Sequence, residues 1–514
     1  MNRLPFYFLV TVLAPVVISG CAHTGVTFSD PLGVMPEIPH SSSATYQPRD
    51  ASLSTLGGGE NGESVSPGQN QTLTEGDIPS EFKGKVLTLG DCFRVALASN
   101  PQTRSSWDAV RSATARVGEE TSAYLPSADL SANAVRQKQV TFQGLQAGQP
   151  AETGDLFDAA FGLSYLLFDG GQRSAKVSRA QADLQALGFQ HNTALQEVAL
   201  QVEQSYYSLL ASRWSLQVAE KTVRNAEYHV RLSQARFDNG LAPRSDVLKA
   251  ETERADTDLS LVSARNRNRI AEGTLVSALG LKVSIPIEIS DIPESMYLRE
   301  MENMDQLLDE ATKNRPELLA AVAKVKSAES AIQEAKSQYW PKVTANAGYG
   351  WIDDTFFPNH DQWSLGLSLS FPLFTGFKRG YQVERTERDL DQTRSDYASR
   401  LRGVELEVWT AYWKLLEAGE AIQAAQTFVA SAEESARLAE GEYKAGTGNI
   451  IALIDAQTAL SSARNRIVQA RFDWYTARAR FERIVGRSLV AGVASRDADL
   501  EKKETDNSPD KSRN

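Results

Sequence analysis

The sequence has few of the residues that build metal sites, disulfide frameworks or nucleic-acid surfaces. Its 514 residues include two cysteines, which could form one bridge at most, and five histidines with no HxxxH or HxH pair beside carboxylates. Acidic residues outnumber basic ones by 65 to 54, and no stretch interleaves basic with aromatic residues. We therefore expect no bound metal and no nucleic-acid partner.

The sequence also lacks the motifs that carry common enzymatic chemistry. It contains no Gly-x-Ser-x-Gly elbow, no phosphate-binding P-loop and no helix with zinc-ligand spacing. Phe168-Asp169-Gly170-Gly171 is glycine-rich, but the Lys-Ser/Thr pair that binds phosphate does not follow it. We predict that the chain is not an enzyme and needs no cofactor. The energy for any transport is expected to come from a partner.

One apolar stretch stands out at the N-terminus. Arg3 precedes fifteen apolar-dominated residues, Leu4 to Ile18, a length typical of a signal peptide and too short for a spanning helix. The stretch ends in Ser19-Gly20-Cys21, which resembles the bacterial lipobox, in which the cysteine is acylated and becomes the mature N-terminus. An ordinary cleavage site beside a cysteine is the alternative. Since Ala22 is not aspartate, the resemblance implies sorting to the outer membrane, with Cys21 as the lipid anchor.

Composition divides the chain into a central region and two flanking segments. Residues 1–20 are predicted to be the signal peptide, and residues 21–85, rich in Ser, Gly, Pro and Thr, a lipid-anchored linker. Residues 491–514 are predicted to be a disordered, charged tail. At the start of the central region, Cys92 lies in an apolar run and is expected in the core.

The central region repeats itself, in copies predicted at residues 86–285 and 286–490. Tyr124-Leu125-Pro126 recurs as Tyr339-Trp340-Pro341, displaced by 215 residues. Past the next segment the displacement is 206, and Phe168-Asp169-Gly170 recurs as Phe374-Thr375-Gly376. Because the register of 206 holds over about a hundred residues, we interpret the pattern as an internal duplication.

Each copy is predicted to contain a helix, two strands, a long helix, a turn and another long helix. Apolar and small residues recur at alternating spacings of three and four, a period of 3.5 that is typical of supercoiled helices. Alanine and serine dominate these positions, so neighbouring helices are expected to approach closely. A helix from about 172 to 238 would be roughly 100 Å long at 1.5 Å per residue.

The predicted strands are about ten residues long and alternate apolar with small or polar residues, as membrane β-strands do. The clearest run from Phe157 to Leu167 and from Trp363 to Leu373, with weaker hairpin partners at 128–137 and 343–351. Four strands cannot close a barrel, and lipid does not tolerate an open sheet edge. Two chains would supply eight strands, which side chains fill, whereas three would supply twelve and an open lumen. A homotrimer is therefore predicted.

With these features, residues 86–489 resemble the TolC-like outer-membrane efflux family. The resemblance rests on three short motifs and one long one: Ala96-Leu97-Ala98-Ser99-Asn100-Pro101, Tyr124-Leu125-Pro126, Leu167-Phe168-Asp169-Gly170-Gly171, and Gly446-Thr447-Gly448-Asn449 followed by residues 450–460. It implies an α+β membrane protein, in which a trimeric twelve-stranded outer-membrane β-barrel continues into a periplasmic α-helical coiled-coil barrel. It also implies an adaptor protein and an inner-membrane transporter as partners, and export of drugs or other small molecules.

The resemblance assigns roles to the two helix-helix turns. The first turn contains Gly240, Leu241 and Ala242, and the second contains Gly446, Thr447 and Gly448. Both are ordinary αα-hairpin turns by their residues, with glycine suited to ending a helix. The family implies that they also form the tip that docks the adaptor.

The family further implies rings of carboxylates that narrow the periplasmic mouth. Asp455 occupies the matching place, whereas the family's other common aspartate is Ala452 here. Asp246, which stands 206 residues before Ala452, is expected to compensate, and Arg244 is hypothesised to form a salt bridge across subunits. The alternative for each carboxylate is a solvated charge or a first-turn acid favoured by the helix dipole. For the whole chain, the alternative is a lipid-anchored periplasmic coiled-coil scaffold without a pore.

Overall fold

The computed structural model describes residues 82, 84–139, 152–291, 303–357 and 360–487. Cys21, the predicted signal peptide, most of the predicted linker and the predicted charged tail lie outside these residues.

The two copies have the same order of elements. The first comprises β1 (Val86–Leu87), α1 (Leu89–Ser99), α2 (Pro101–Ser122), β2 (Ser127–Gln139), β3 (Glu152–Phe168), α3 (Gln172–Asp238) and α4 (Arg244–Ala278). The second comprises β4 (Glu288–Ile289), α5 (Met304–Asn314), α6 (Pro316–Ser337), β5 (Lys342–Asp353), β6 (His360–Ser370), α7 (Lys378–Ala445) and α8 (Ile450–Val485). The duplication is confirmed in three dimensions.

The single helix predicted at the start of each copy is in fact two helices. Asn100 separates α1 from α2, and Arg315 separates α5 from α6. Both residues have an extended backbone, with ψ of 125° at Asn100 and 120° at Arg315. A proline follows each of them, and its ring excludes the preceding residue from the helical region. The correction therefore follows from local sterics at the two X-Pro bonds.

Four strands form one antiparallel sheet in the order β2-β3-β5-β6. Residues opposite each other share a face, so Leu130, Phe161, Tyr349 and Trp363 form a row across all four strands. All four of these side chains are exposed. On the opposite face, Asp129, Gly162, Gly348 and Ser364 form the corresponding row. The sheet thus has one apolar and one small or polar face, and β2 and β6 are its edges.

The helices form a layer that begins at the sheet and continues away from it. α3 packs against α2, α4, α6 and α8, while α7 packs against α6 and α8. Within the described ranges, no helix combines the length and the apolar character needed to cross a membrane.

The largest core lies around the middle of the long helices. There the segment Val198–Leu210 of α3 meets α1, the C-terminal part of α4 and parts of α7 and α8, beside the short parallel pair β1-β4. Cys92 belongs to this core and is fully buried. This confirms the predicted core position, and burial raises the pKa of the thiol to about 12.

Candidate functional site

The two helix-helix turns lie side by side at the ends of α3 and α7 that point away from the sheet. In the first turn, α3 ends at Asp238 and Gly240 has φ 71°; in the second, α7 ends at Ala445 and Gly446 has φ 83°. The amide of Leu241 donates to the Arg236 carbonyl, and that of Thr447 to the Glu442 carbonyl. Both helices therefore end in glycine caps, as predicted.

Asn449 starts the helix that follows the second turn. Its side-chain Oδ1 accepts a hydrogen bond from the amide of Ala452 at 2.8 Å, which satisfies one of the first amides of α8. Ile450 and Leu453 then pack with Tyr443 in a small buried cluster. The turn is thus held by a cap on its polar side and by apolar packing on the other.

Arg236 joins the two turns. Its guanidinium donates hydrogen bonds to the carbonyls of Tyr443 and Lys444, the latter at 3.1 Å, and to that of Leu241 at 3.5 Å. The same group lies 4.9 Å from the centroid of the Tyr443 ring. Because the Tyr443 and Lys444 carbonyls belong to the C-terminal end of α7, one side chain of the first copy binds the end of the second copy's long helix.

Asp246 and Tyr443 form a second contact between the copies. Tyr443 is 1% exposed, and burial raises its pKa, with the nearby Asp246 carboxylate as the next cause. Asp246 lies in the first turn of α4, where a negative charge also interacts favourably with the helix dipole. The tyrosine hydroxyl has no hydrogen-bond partner among the described residues. Asp246 therefore approaches the core of the second turn.

Asp455 lies elsewhere, opposite α4. It is exposed on α8, and its carboxylate helps to raise the pKa of Glu253 on α4, after burial and the charge of Asp256. No contact within the described residues joins Asp455 to Asp246 in one protomer. The structure thus reveals an acidic group of Glu253, Asp256 and Asp455, whereas Asp246 faces Tyr443.

Sequence reasoning missed Glu253, Tyr443 and Arg236 as site residues. Glu253 follows Asp246 by seven residues, so the heptad period that places one on a helix face also indicates the other. Tyr443 stands in the heptad pattern as a core position, and its polar contact depends on which helix packs against it. Arg236 has no comparable sequence signal, since a basic residue in the last turn of a helix is common.

Arg244 is exposed at the start of α4. Within the described part of one protomer, none of the ion pairs includes it. A positive charge at a helix N-terminus opposes the dipole, so its position is unfavourable unless an acidic group lies nearby.

Beside the turns, an open groove of about 360 Å³ lies between α4 and α8. It is lined by Leu248, Lys249, Thr252, Glu253, Ile451 and Ile454. Deeper between α3, α4 and α8 is a gap of about 10 Å³, the size of about one water, bordered by His229 and Glu253. His229 is 5% exposed, and neither ring nitrogen has a hydrogen-bond partner among the described residues. Burial lowers the pKa of His229.

No group of three or more His, Cys, Asp or Glu side chains in the described ranges is arranged to hold a metal ion.

The comparisons with known proteins match both copies of this architecture. The family model described as "Outer membrane efflux protein" matches residues 93–281 and 307–487, more than half of the chain. The chain belongs to the outer membrane efflux protein family. The two matched ranges correspond to the two copies.

Individual members of the family are distant but extensive matches. Protein CyaE of Bordetella pertussis is 27% identical over 388 residues, covering 74% of this chain and 80% of that protein. Outer membrane protein TolC of Vibrio cholerae is 23% identical over 408 residues, covering 77% and 90%. The crystal structure of VceC from Vibrio cholerae superposes with a TM-score of 0.68 at 18% identity, covering 78% of this chain and 96% of that one.

These matches confirm the predicted family, the α+β fold of outer-membrane channels and the function of an outer-membrane channel in efflux or secretion. They also confirm the predicted location in the outer membrane with extension into the periplasm. The family consists of channel and transport proteins.

Proposed function

We propose that three copies of this chain form a lipid-anchored duct across the periplasm, which catalyses no reaction. In this assembly, an adaptor and an inner-membrane transporter supply cargo and energy, and the exported molecules are drugs or other small molecules. Cargo choice belongs to the transporter.

The open edges of the protomer support the trimer. Strands β2 and β6 are unpaired on their outer sides within the described sheet, and a sheet surrounded by lipid must satisfy these backbone groups. Pairing of β6 in one copy with β2 in the next repeats head to tail and closes a ring. Four strands per chain give twelve in a trimer, enough for an open lumen.

The helices have open edges as well. On α4, Leu248, Leu259 and Val262 are exposed, and on α7, Phe428 and Leu438 are exposed. α4 and α7 lie at opposite edges of the part of the layer near the turns, since α3 and α8 separate them. Contact of α4 with α7 of the next copy would cover both apolar stripes and continue the ring below the sheet.

We propose that the two turns form the adaptor-docking tip of the duct. Gly240, Leu241 and Ala242 contribute the first turn and Gly446, Thr447 and Gly448 the second. The exposed Leu241 and the adjoining groove, with Leu248, Ile451 and Ile454, support this role because they offer apolar surface at the end of the helices.

The carboxylates beside the turns are proposed to control the mouth. Three copies of Asp455 would bring like charges together with Glu253 and Asp256, which attracts cations. Asp246 is proposed to keep the two turns together through its electrostatic interaction with Tyr443. Arg244, which is exposed at the start of α4, would meet an acidic group of the neighbouring subunit.

Acylation of Cys21 would anchor each copy to the outer membrane in addition to the barrel. The lipobox-like Ser19-Gly20-Cys21 supports this anchor. Residues 21–85 would then connect the acyl chains to the described structure.

Conductance in planar lipid bilayers is the experiment that tests the function. We expect purified protein to give discrete conductance steps and to migrate as a trimer in detergent. A monodisperse, detergent-free soluble species without conductance would instead support the periplasmic scaffold. The same preparation, digested and analysed by mass spectrometry, should show an acylated Cys21 at the N-terminus.

A further inference from the structure

The gap beside His229 lies where three helices meet. Five of the residues that border it come from α3 (His229), α4 (Glu253 and Thr257) and α8 (Ile454 and Gln457). Helix α3 ends nine residues after His229, which is about 14 Å further along at 1.5 Å per residue. The gap therefore belongs to the packing that positions the helices next to the two turns.

The imidazole of His229 is buried at this gap without a polar partner. Its side chain is 5% exposed, and neither Nδ1 nor Nε2 has a hydrogen-bond partner among the described residues. A neutral imidazole has one donor and one acceptor, whereas the protonated ring has two donors and a charge. At about 10 Å³ the gap has room for about one water, which is too little to hydrate a charged ring. The packed arrangement therefore favours the neutral form of His229.

The charged groups on α7 do not offset this preference. Burial has the largest effect on the pKa of His229 and lowers it, while Glu440 raises the pKa and Lys444 lowers it. The two α7 groups bind each other, with 2.6 Å between the Lys444 ammonium and a Glu440 carboxylate oxygen. Because their opposite charges largely cancel, α7 provides little net charge to stabilise a protonated His229.

The other two helices provide no strong counter-charge either. Glu253 of α4 borders the gap, but burial raises its pKa, as do the charges of Asp256 and Asp455. A carboxyl group with a raised pKa takes up a proton more readily on acidification, so Glu253 is a weak partner for a charged imidazole. The α8 side chains that border the gap, Ile454 and Gln457, are uncharged.

We propose that His229 is a pH-sensitive switch, which keeps α4 and α8 packed against α3 when it is neutral and releases them when it is protonated. Protons favour the state in which the ring is exposed to water, so acidification shifts the population towards separated helices. The shift begins as the pH falls below about 6.5, the ordinary pKa of a hydrated histidine. This inference rests on the proposed channel, in which separation of these helices widens the mouth.

His191 provides a matched control on the same helix. It is 7% exposed, and burial lowers its pKa as it does that of His229. It differs in having a polar partner, since its Nδ1 lies 2.8 Å from the Ser106 hydroxyl. It also stands 38 residues before His229, about 57 Å away along α3. Protonation of His191 should therefore affect stability without affecting the helices at the mouth.

Channel recordings at two pH values test the switch. The open probability of wild-type protein, His229→Gln and His191→Gln is measured in planar bilayers at pH 7.5 and pH 5.5. Glutamine keeps a polar side chain but does not titrate in this range. We expect the open probability to rise severalfold at pH 5.5 in wild-type protein and His191→Gln, and to rise much less in His229→Gln. The carboxylates at the mouth are present in all three proteins, so they cannot cause this difference.

Hydrogen exchange gives a second readout that does not depend on a pore. Exchange of the α8 amides at residues 450–460 is compared at the same two pH values, after correction for the chemical exchange rate. We expect protection to fall at pH 5.5 in wild-type protein and His191→Gln, but not in His229→Gln. His229→Asn gives the same test should His229→Gln not fold.

Two outcomes separate the switch from the channel on which it rests. If conductance steps occur but His229→Gln responds to pH as wild-type protein does, in open probability and in exchange, only the switch is wrong. If no conductance steps occur at either pH, the proposed channel is wrong. Hydrogen exchange then still decides whether protonation of His229 separates the helices.

Discussion

Tyr443 combines apolar burial with one polar contact, so the environment of its hydroxyl depends on the neighbouring Asp246. Its ring is buried with Ile450 and Leu453, while its hydroxyl faces the Asp246 carboxylate across the two copies. An ordinary core tyrosine would need only the first property. Asp246 adds a charge whose removal leaves the apolar packing intact, so the contact can be tested without disturbing the fold.

We predict that Asp246→Asn and Tyr443→Phe each increase the open probability of the channel in planar bilayers. The Asp246 carboxylate and the buried Tyr443 hydroxyl interact electrostatically across the two turns, so removing either group should weaken the proposed closure of the mouth. A loss of about 1 kcal/mol would raise the open-to-closed ratio by about fivefold. Asp455→Asn is the matched control, since it removes a carboxylate without touching Tyr443 and should alter cation selectivity instead. Unchanged gating in both Asp246→Asn and Tyr443→Phe would contradict the link.

The site could be predicted from the sequence only in part. The resemblance to the family assigns Asp246 and Asp455 to the mouth, and this role stays a prediction. The structure places Asp246 half-buried on α4 and Asp455 exposed on α8. Their neighbours could not be identified from the sequence, because Glu253 meets Asp455 only once α4 and α8 pack together. Periodicity shows which residues share a helix face but not which helix lies opposite.

At the scale of elements, Arg236 makes one helix end depend on another. Its side chain begins on α3 and binds the terminal carbonyls of α7. The long helices of the two copies are therefore coupled at the tip as well as in the central core. Movement of one turn should carry the other with it as long as the guanidinium stays bound.

We predict that Arg236→Met increases the rate of proteolysis at residues 445–449 in detergent-solubilised protein. The substitution keeps an apolar side chain over the Tyr443 ring but removes the donors to the turn carbonyls, which then need water. Arg231→Met is the control, because Arg231 is an exposed arginine on the same helix. Equal cleavage of the two variants would show that Arg236 does not stabilise the turn.

The fold could be predicted further than the site. The long helix expected at about 172 to 238 is Gln172–Asp238, and the four expected strands form one sheet. These elements have strong local periodicity. The short strands β1 and β4 were missed because each has two residues and its partner is about two hundred residues away. A pairing of that kind has no local signal.

At the scale of the whole molecule, two buried histidines connect stability to pH. His191 is 7% exposed and its Nδ1 lies 2.8 Å from the Ser106 hydroxyl, while His229 is buried beside the gap near the mouth. Burial lowers the pKa of both below the usual 6.5, so the folded state binds fewer protons than the unfolded state. Their contribution to stability is complete above 6.5 and is lost as the pH falls below it.

We predict that the thermal midpoint of the detergent-solubilised protein falls between pH 7.5 and pH 5.5, and that His191→Gln/His229→Gln reduces this fall. Glu253 acts in the opposite direction, because its raised pKa favours the folded state when it is protonated. It is present in both proteins, so the difference between them isolates the histidines. Identical pH profiles would contradict the assignment.

The unbroken course of α3 and α7 through the central core makes each a lever with its fulcrum in the middle. From Leu210, at the core, to Asp238, where α3 ends, the arm is about 42 Å long at 1.5 Å per residue. On an arm of that length, a tilt of about 5° displaces the end by about 4 Å. Slight repacking of side chains at the fulcrum could therefore widen the aperture while every helical hydrogen bond stays intact.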